Sequence, residues 1–272
     1  MMNDKISVIM ACYNCDKTLE KAIDSILAQT YTNWVMICCD DGSQDSTMEI
    51  LQRYKEKYPD KFVVIQNSGN KKLPYSLNHC LEYVETDLVA RMDADDWSLP
   101  ERFEKQVEYL KEHPEIDLVG TGVIVSDGEK KIASIVKVPE PTKETMLKQN
   151  AFSHATIMTY KKVYDELNGY SLDSTVIRAE DVDLWCRFLA KGFRGYNLQE
   201  ELYVILEDAN AVKRRTLQAR INGARTKSRG FRIMGFRGFC CVKPYFDVLK
   251  VLVPGFVYPI LHIWKLSHND RI

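Results

Sequence analysis

A doubly wound, mostly parallel α/β sheet, continued in its second half by mixed elements, is the fold this sequence predicts. Three observations carry that prediction. Short apolar runs alternate with amphipathic helical segments over the first hundred residues, the order of successive βαβ units. The runs that start near residues 6, 34 and 88 end in polar or acidic residues, as strands do where a sheet opens onto a ligand crevice. The chain has 272 residues, 45% of them hydrophobic and 28% charged, which suits a folded enzyme or binding domain rather than a disordered, collagenous or membrane-spanning chain.

The first strand is expected over Ile6 to Ala11. Thr18 to Ala28 then spaces Leu19, Ala22, Ile23, Ile26 and Leu27 at helical intervals. Trp34 to Cys39 repeats the strand pattern, Asp40-Asp41-Gly42-Ser43 ends it, and Ser46 to Tyr58 is helical with Met48, Leu51 and Tyr54 on one face. Pro59 separates that helix from a third strand, Phe62 to Ile65. A helix over Leu73 to Val84 leads to a fourth strand, Leu88 to Met92, which runs into Asp93-Ala94-Asp95-Asp96. Beyond Pro100 the alternation stops. A helix over Glu101 to Glu112 precedes Leu118 to Val125 and Lys131 to Val138, the arms of a hairpin around Ser126-Asp127-Gly128-Glu129. Ala155 to Tyr160 reads as another strand, and Asp181 to Lys191 as a helix closed by Gly192.

Strands one, two and four should deliver Tyr13, Asn14, Asp40, Asp41, Asp93, Asp95 and Asp96 to one crevice. The first turn lacks Gly-x-Gly-x-x-Gly and no Gly-x-x-x-x-Gly-Lys occurs, which disfavours a dinucleotide dehydrogenase and a phosphate-loop NTPase. Asp93 and Asp95, two apart at a strand end, should face one side and Asp96 the other. Two hard oxygen ligands suit Mg²⁺ or Mn²⁺, with substrate phosphate and water completing the shell. A solvated acidic turn capping the next helix would use the same residues. Asp181 shares a helical face with Leu184, Trp185 and Phe188, and a carboxylate held against apolar walls has the raised pKa that a general base needs. Glu180 and Asp183 point elsewhere and read as capping or orienting groups.

Four segments carry a family resemblance: Ser7 to Asn14; Asp40 to Thr47; Arg91 to Asp96 with Pro100-Glu101-Arg102; and Glu180-Asp181 with Asp183-Leu184-Trp185. In that order and spacing the chain resembles the family-2 glycosyltransferases of GT-A fold, over roughly residues 5 to 205. The resemblance implies an inverting transferase that moves a sugar from a nucleoside-diphosphate donor, usually a UDP-sugar, to an acceptor hydroxyl in bacterial surface polysaccharide synthesis. It implies a catalytic domain over residues 1–210, with a nucleotide-sugar half (1–100) and an acceptor half (101–210). Tyr13 would stack on the base, with Ala11, Asn14 and Ala94 nearby. Asp41 would accept the base N–H, Asp93 would contact the ribose, and Asp95, with Asp93, would hold Mn²⁺ or Mg²⁺ on the diphosphate. Asp181 would be the catalytic base, with Glu180, Asp183, Trp185 and His154 supporting it on the acceptor side. Lys71 and Lys72 stand near the place of a basic group that relatives set against the diphosphate. Ala11 and Asn168 replace a frequent Pro and Gly. The competing readings are a non-catalytic nucleotide-sugar-binding or membrane scaffold of the same fold and, more remotely, a thiol oxidoreductase built on Cys12 and Cys15.

The cysteines and the charge distribution set the expected location. Met1 to Ile6 shows no secretory pattern, so the eight cysteines are expected as reduced thiols of a cytoplasmic protein. From Ala211 onward, 13 Lys and Arg face only Asp247 and Asp270, a balance of +11, and the preceding residues carry −12. Between Lys250 and Lys265 stand 14 uncharged residues interrupted by Pro254 and Pro259, short of the roughly 20 that a spanning helix needs. Basic residues interleaved with Phe231, Phe236, Phe239, Tyr245 and Phe246 make 211–272 an expected helical segment for peripheral attachment to an anionic membrane surface. That site would also suit a lipid-linked glycan acceptor. No nucleic-acid recognition module is present, so no nucleic-acid partner is expected.

Overall fold

The computed structural model describes residues 4–207 and 216–252. The first half alternates as expected: β1 (Ile6–Cys12), α1 (Leu19–Leu27), β2 (Trp34–Asp40), α2 (Thr47–Lys57), β3 (Phe62–Gln66), α3 (Leu73–Leu81) and β4 (Leu88–Asp93). Then come β5 (Trp97–Ser98), α4 (Arg102–Glu112), the hairpin β6 (Leu118–Ser126) and β7 (Lys131–Ile135), β8 (Met158–Tyr160), α5 (Lys161–Leu167), α6 (Glu180–Lys191) and β9 (Gly195–Leu206). The C-terminal part contributes α7 (Leu217–Ile233), α8 (Phe239–Val242) and a 3-10 segment, Lys243–Leu252.

Among the described residues nine strands form one sheet in the order β3-β2-β1-β4-β8-β6-β9-β5, with β7 beside β6. The first-half strands β3, β2, β1 and β4 are all parallel. β8 then runs antiparallel to both β4 and β6, while β9 returns parallel to β6. Both faces of the sheet are covered, which is why its strands read as continuous apolar runs rather than alternating ones. Ile6, Val8 and Met10 of β1 pack with Leu19 of α1, Leu51 of α2 and Phe103 of α4. Ile9, facing the other way, joins Ile37 and Cys39 beneath Leu77 of α3, Val163 of α5 and Trp185 of α6.

Three boundaries differ from expectation by more than one residue, each for a local reason. The helix from Leu73 stops at Leu81 rather than Val84, because the Tyr83 and Val84 N–H groups turn back to Cys80 and Leu81 in a tightened last turn. His154–Thr156 is a 3-10 turn instead of the start of a strand; both the N–H and the hydroxyl of Thr156 return to the Ser153 carbonyl. β7 ends at Ile135 because the carbonyls of Lys137, Val138 and Pro139 are taken by Gln199 Nε2, Asn197 Nδ2 and Asn197 N–H.

α7 starts at an N-cap, Thr216, whose hydroxyl accepts from the Ala219 N–H. Its buried side is made of small and polar residues, Asn222, Ala224, Thr226, Ser228 and Gly230, followed by Phe231. That lets it lie close on α6. A Cβ at Gly230 would overlap Cys186 Sγ. Phe231 and Phe236 therefore close the core, whereas Phe239, Tyr245 and Phe246 are exposed. The expected attachment segment lies partly outside the described residues, at 211–215 and 253–272. No described helix is long and apolar enough to cross a membrane.

Replacing Gly230 with Ala should force α7 away from α6 and cost about 1–3 kcal/mol, the usual range for overpacking. Urea unfolding of the G230A protein against wild type measures it, and an unchanged midpoint contradicts the close contact.

Candidate active site

The parallel register sets Cys12 opposite Asp40 and Ala11 opposite Asp93, so strands β1, β2 and β4 release their loops at one level. The first two loops are cross-tied. Asn14, at φ +48°, donates its N–H to Ser43 Oγ at 3.0 Å, and its side-chain oxygen accepts the Gln44 N–H at 2.8 Å. Cys15 N–H donates to Thr47 Oγ1 at 2.9 Å. Tyr13 is left exposed at the tip of this braced loop, where a flat ring can stack on a base.

Asp41 is buried and does local work. Its Oδ1 accepts from Asn67 Nδ2 (2.7 Å) and the Lys71 N–H (2.8 Å), and its Oδ2 from the Lys72 N–H (2.9 Å). The carboxylate thereby pins the loop that follows β3. Gly42 lies against it at φ +75°, where a Cβ would stand 2.7 Å from Gly69 Cα, so only glycine fits. Lys71 and Lys72 are held through their backbones with side chains exposed, and neither lines the cleft described next.

The cleft, of about 1090 Å³, opens at the carboxyl ends of these strands. Ala11, Tyr13, Asn14 and Cys15 line it from the first loop, Asp93, Ala94 and Asp95 from β4, Asp127 from the hairpin turn, Arg178 from the loop before α6, and Leu206 and Glu207 from the end of β9. Carboxylate oxygens of Asp93, Asp95 and Asp96 all lie within 4.8 Å of one another. This corrects the expectation that Asp96 faces away: the strand ends at Asp93, the chain turns through residues 94 and 95, and side-chain alternation ends with it. Asp96 Oδ1 accepts the Leu206 N–H at 3.0 Å. Burial, reinforced by the charges of Asp93 and Asp95, pushes its pKa up to about 8. Three crowded oxygen donors, one of them reluctant to ionise unaided, form a set that fits a hard divalent cation.

Arg91, itself buried, pairs with Asp93 at 2.5 Å, and its charge is felt by both Glu180 and Asp181 at the start of α6. Asp181 Oδ2 accepts Asn150 Nδ2 and Oδ1 accepts the Val182 N–H, each at 2.8 Å. Burial raises the Asp181 pKa from its ordinary value, against the Val182 N–H and the charges of Arg91 and Lys227. The half-buried Lys137 feels its charge, which partly restores a pKa lowered by desolvation. Glu180 does not stand out in solvent as a cap would. It too is largely buried, and burial lifts its pKa. Asp183 joins α6 to α7: its two oxygens accept from Arg187 Nε and Arg229 Nη2, each at 2.7 Å. Trp185 is fully buried edge-on to Phe152, with ring centres 5.0 Å apart. His154 Nε2 meets the Tyr170 hydroxyl at 2.9 Å, and burial followed by the Arg91 charge depresses its pKa far enough to keep the ring neutral.

Comparison with known proteins gives the family. The description Glycosyl transferase family 2 fits residues 7–167. The chain belongs to that family. EpsE of Bacillus subtilis, named as a glycosyltransferase, is 47% identical over 222 residues, covering 81% of this chain and 79% of its own. The O-antigen biosynthesis glycosyltransferase WbnJ of Escherichia coli is 34% identical, covering 72% and 77%. Among solved structures, S. aureus TarS superposes with a TM-score of 0.68 at 18% identity, over 90% of this chain and 43% of that one. The mannosyltransferase PcManGT from Pyrobaculum calidifontis, in complex with GDP-Man and Mn²⁺, gives 0.64 at 19% identity, covering 92% and 70%. The fold of this family-2 glycosyltransferase is thus the GT-A fold.

Several site residues lay beyond sequence reasoning. Asp127 was read only as a turn residue, and Asn150, Lys137 and Tyr203 stood in no motif. Tyr203 Oη accepts the Asp93 N–H at 3.1 Å. Arg178 had only its place two residues before Glu180 to mark it.

Replacing Asp183 with Ala should destabilise the protein by about 2 kcal/mol, less than the 3–5 of a fully buried pair because Arg229 remains half in solvent. Thermal melting checks the loss, and an unchanged melting temperature would mean that the α6–α7 joint does not depend on this carboxylate.

Proposed function

We propose that this glycosyltransferase is inverting and transfers a sugar from a nucleoside-diphosphate donor, a UDP-sugar, to an acceptor hydroxyl during assembly of a bacterial surface polysaccharide. The observation that carries the reading is the single guanidinium of Arg91, which pairs with the acidic cluster and bears electrostatically on the half-buried Asp181. Donor and acceptor chemistry thus meet across one side chain. In this reading Asp181 takes the acceptor proton as that oxygen forms its bond to the anomeric carbon. The bond from that carbon to the phosphate oxygen breaks, and its electron pair stays on the departing diphosphate. Burial raises the Asp181 pKa, the direction that suits a general base.

Asp95 and Asp93, with Asp96 behind them, are the residues that would hold Mn²⁺ or Mg²⁺. Such an ion supplies Lewis-acid stabilisation of the charge on the leaving diphosphate. TarS in complex with UDP-GlcNAc supports a UDP donor by analogy. The names of WbnJ and of AmsE, an amylovoran biosynthesis glycosyltransferase of Erwinia amylovora, support the polysaccharide assignment. Tyr13 would stack on the base, and Asp41 would shape its pocket from behind through the 67–72 loop.

Peripheral attachment to an anionic membrane surface belongs to the same reading. Phe239 and Phe246 are 69% and 54% exposed with rings 6.0 Å apart, and Val242 and Tyr245 are exposed near them in the chain. Arg232, Arg237 and Lys243 flank these side chains in sequence, the pairing of apolar and basic groups that suits an interface. A lipid-linked acceptor would be met there.

Calorimetry with UDP and Mn²⁺ should show binding that chelator abolishes and that D95A lacks. D181N should keep that binding and lose transfer by about 100-fold or more. Full transfer by D181N removes the base assignment. In vesicle flotation, the protein should bind anionic but not zwitterionic liposomes and release with salt, and F239S/F246S should weaken the binding. Equal flotation of that variant counts against the membrane face.

A further inference from the structure

The cleft is a hostile place for an anion. Six carboxylates line it, those of Asp16, Asp45, Asp93, Asp95, Asp127 and Glu207, against two cations, Lys17 and Arg178. A divalent ion on the Asp93–Asp96 cluster offsets only part of that charge, and a departing diphosphate adds more. Charge that develops in a transition state is best met by a cation already held in place.

Arg178 is such a cation. Its side chain is exposed and lines the cleft, and its charge reaches the Glu180 carboxylate two residues on. No hydrogen bond or ion pair among the described residues engages its guanidinium. Its backbone sits at φ +69°, a left-handed conformation that costs a non-glycine residue about 1 kcal/mol or more. The surroundings impose that conformation. The Ala179 N–H closes on the Val176 carbonyl at 2.7 Å, and α7 holds the preceding turn, with Thr226 Oγ1 donating to the Thr175 carbonyl at 3.2 Å and Asn222 Nδ2 to that of Ile177 at 3.4 Å. A strained, externally braced residue with an uncommitted guanidinium has the form of a ligand contact. A guanidinium fork also matches phosphate oxygens better than an ammonium does.

We propose that Arg178 is the protein cation for the donor diphosphate, reaching the distal phosphate from the loop that also carries Glu180 and Asp181, and that α7 holds it in place. This assigns to Arg178 the role that the family resemblance placed near Lys71 and Lys72. It rests on the donor-site reading above. It also makes α7 part of the donor site at a distance.

The test is calorimetry on the full chain with Mn²⁺, titrating UDP and GDP and the phosphate-free uridine and guanosine into wild type, R178G, K17A and N222A. Glycine removes the guanidinium and the backbone strain together, so R178G should melt no lower than wild type. R178G should bind the diphosphate about tenfold or more weakly, the worth of one charge-assisted fork, with nucleoside affinity changed by less than about twofold. N222A, remote from the nucleotide, should lose diphosphate affinity in the same direction. Diphosphate affinity in R178G within about twofold of wild type overturns the proposal, as do equal losses for nucleoside and diphosphate or a loss confined to K17A. Wild-type protein that binds neither UDP nor GDP overturns the donor-site reading itself, and the proposal with it.

Discussion

The pairing of β1 between β2 and β4, parallel on both sides, is the constraint on which the site depends. Because Cys12 stands opposite Asp40 and Ala11 opposite Asp93, three loops leave the sheet at one height and in one direction. A slip of one residue in either ladder would turn β1 over and bury the wrong face. The apolar alternation of Val8, Ile9 and Met10 between two covered faces resists that slip. Once the strand ends are level, short hydrogen bonds finish the donor side. Asn14 and Cys15 are tied to the turn after β2, and Asp41 to the backbone of the loop after β3.

The second half of the chain and the buried charges beside it are built on different physics. There the sheet becomes mixed, and the functional groups hang from α6 and the segments around it. What organises them is burial of charge. Asp96, Glu180 and Asp181 all have carboxyls pushed upward by desolvation. Arg91 and Arg102 are the buried cations beneath them. Arg102 makes no ion pair among the described residues and is satisfied by neutral acceptors, donating to the Arg91 carbonyl at 2.8 Å, Ser98 Oγ at 2.9 Å and Gln106 Oε1 at 3.1 Å. Its guanidinium stitches β4 to α4 and so fixes the floor on which Arg91 and Asp93 rest.

How much of this was legible in the sequence follows from the same division. The parallel half was readable almost to the residue, because strands covered on both faces write unbroken apolar runs and the helices between them keep a 3.6-residue stripe. The second half was not. β9 carries Asn197, Gln199, Glu200 and Glu201 in its middle and pairs with β6 through two register shifts, so neither alternation nor a continuous run marks it. Yet it supplies Tyr203 and the Leu206 N–H to the acidic cluster. α7 was visible only as charge, since its buried side is glycine, alanine and small polar residues rather than a hydrophobic stripe. Asp96 was placed on the wrong side because strand alternation was carried past the strand's end. The roles of individual carboxylates came from family resemblance. Spacing alone reached only a metal- and phosphate-binding α/β protein.

The joint between Asp183 and Arg229 has a consequence for how the molecule is made. Asp183 lies on the helix that bears Asp181, and one of its two cationic partners is supplied 46 residues later in the chain. During synthesis, β1 to β4 have been made long before that arginine exists. Until it arrives, α6 holds a buried carboxylate satisfied by Arg187 alone, and the loop before it lacks the α7 contacts that brace it. The nascent chain therefore has its first parallel strands in hand well before α6 can set against α7.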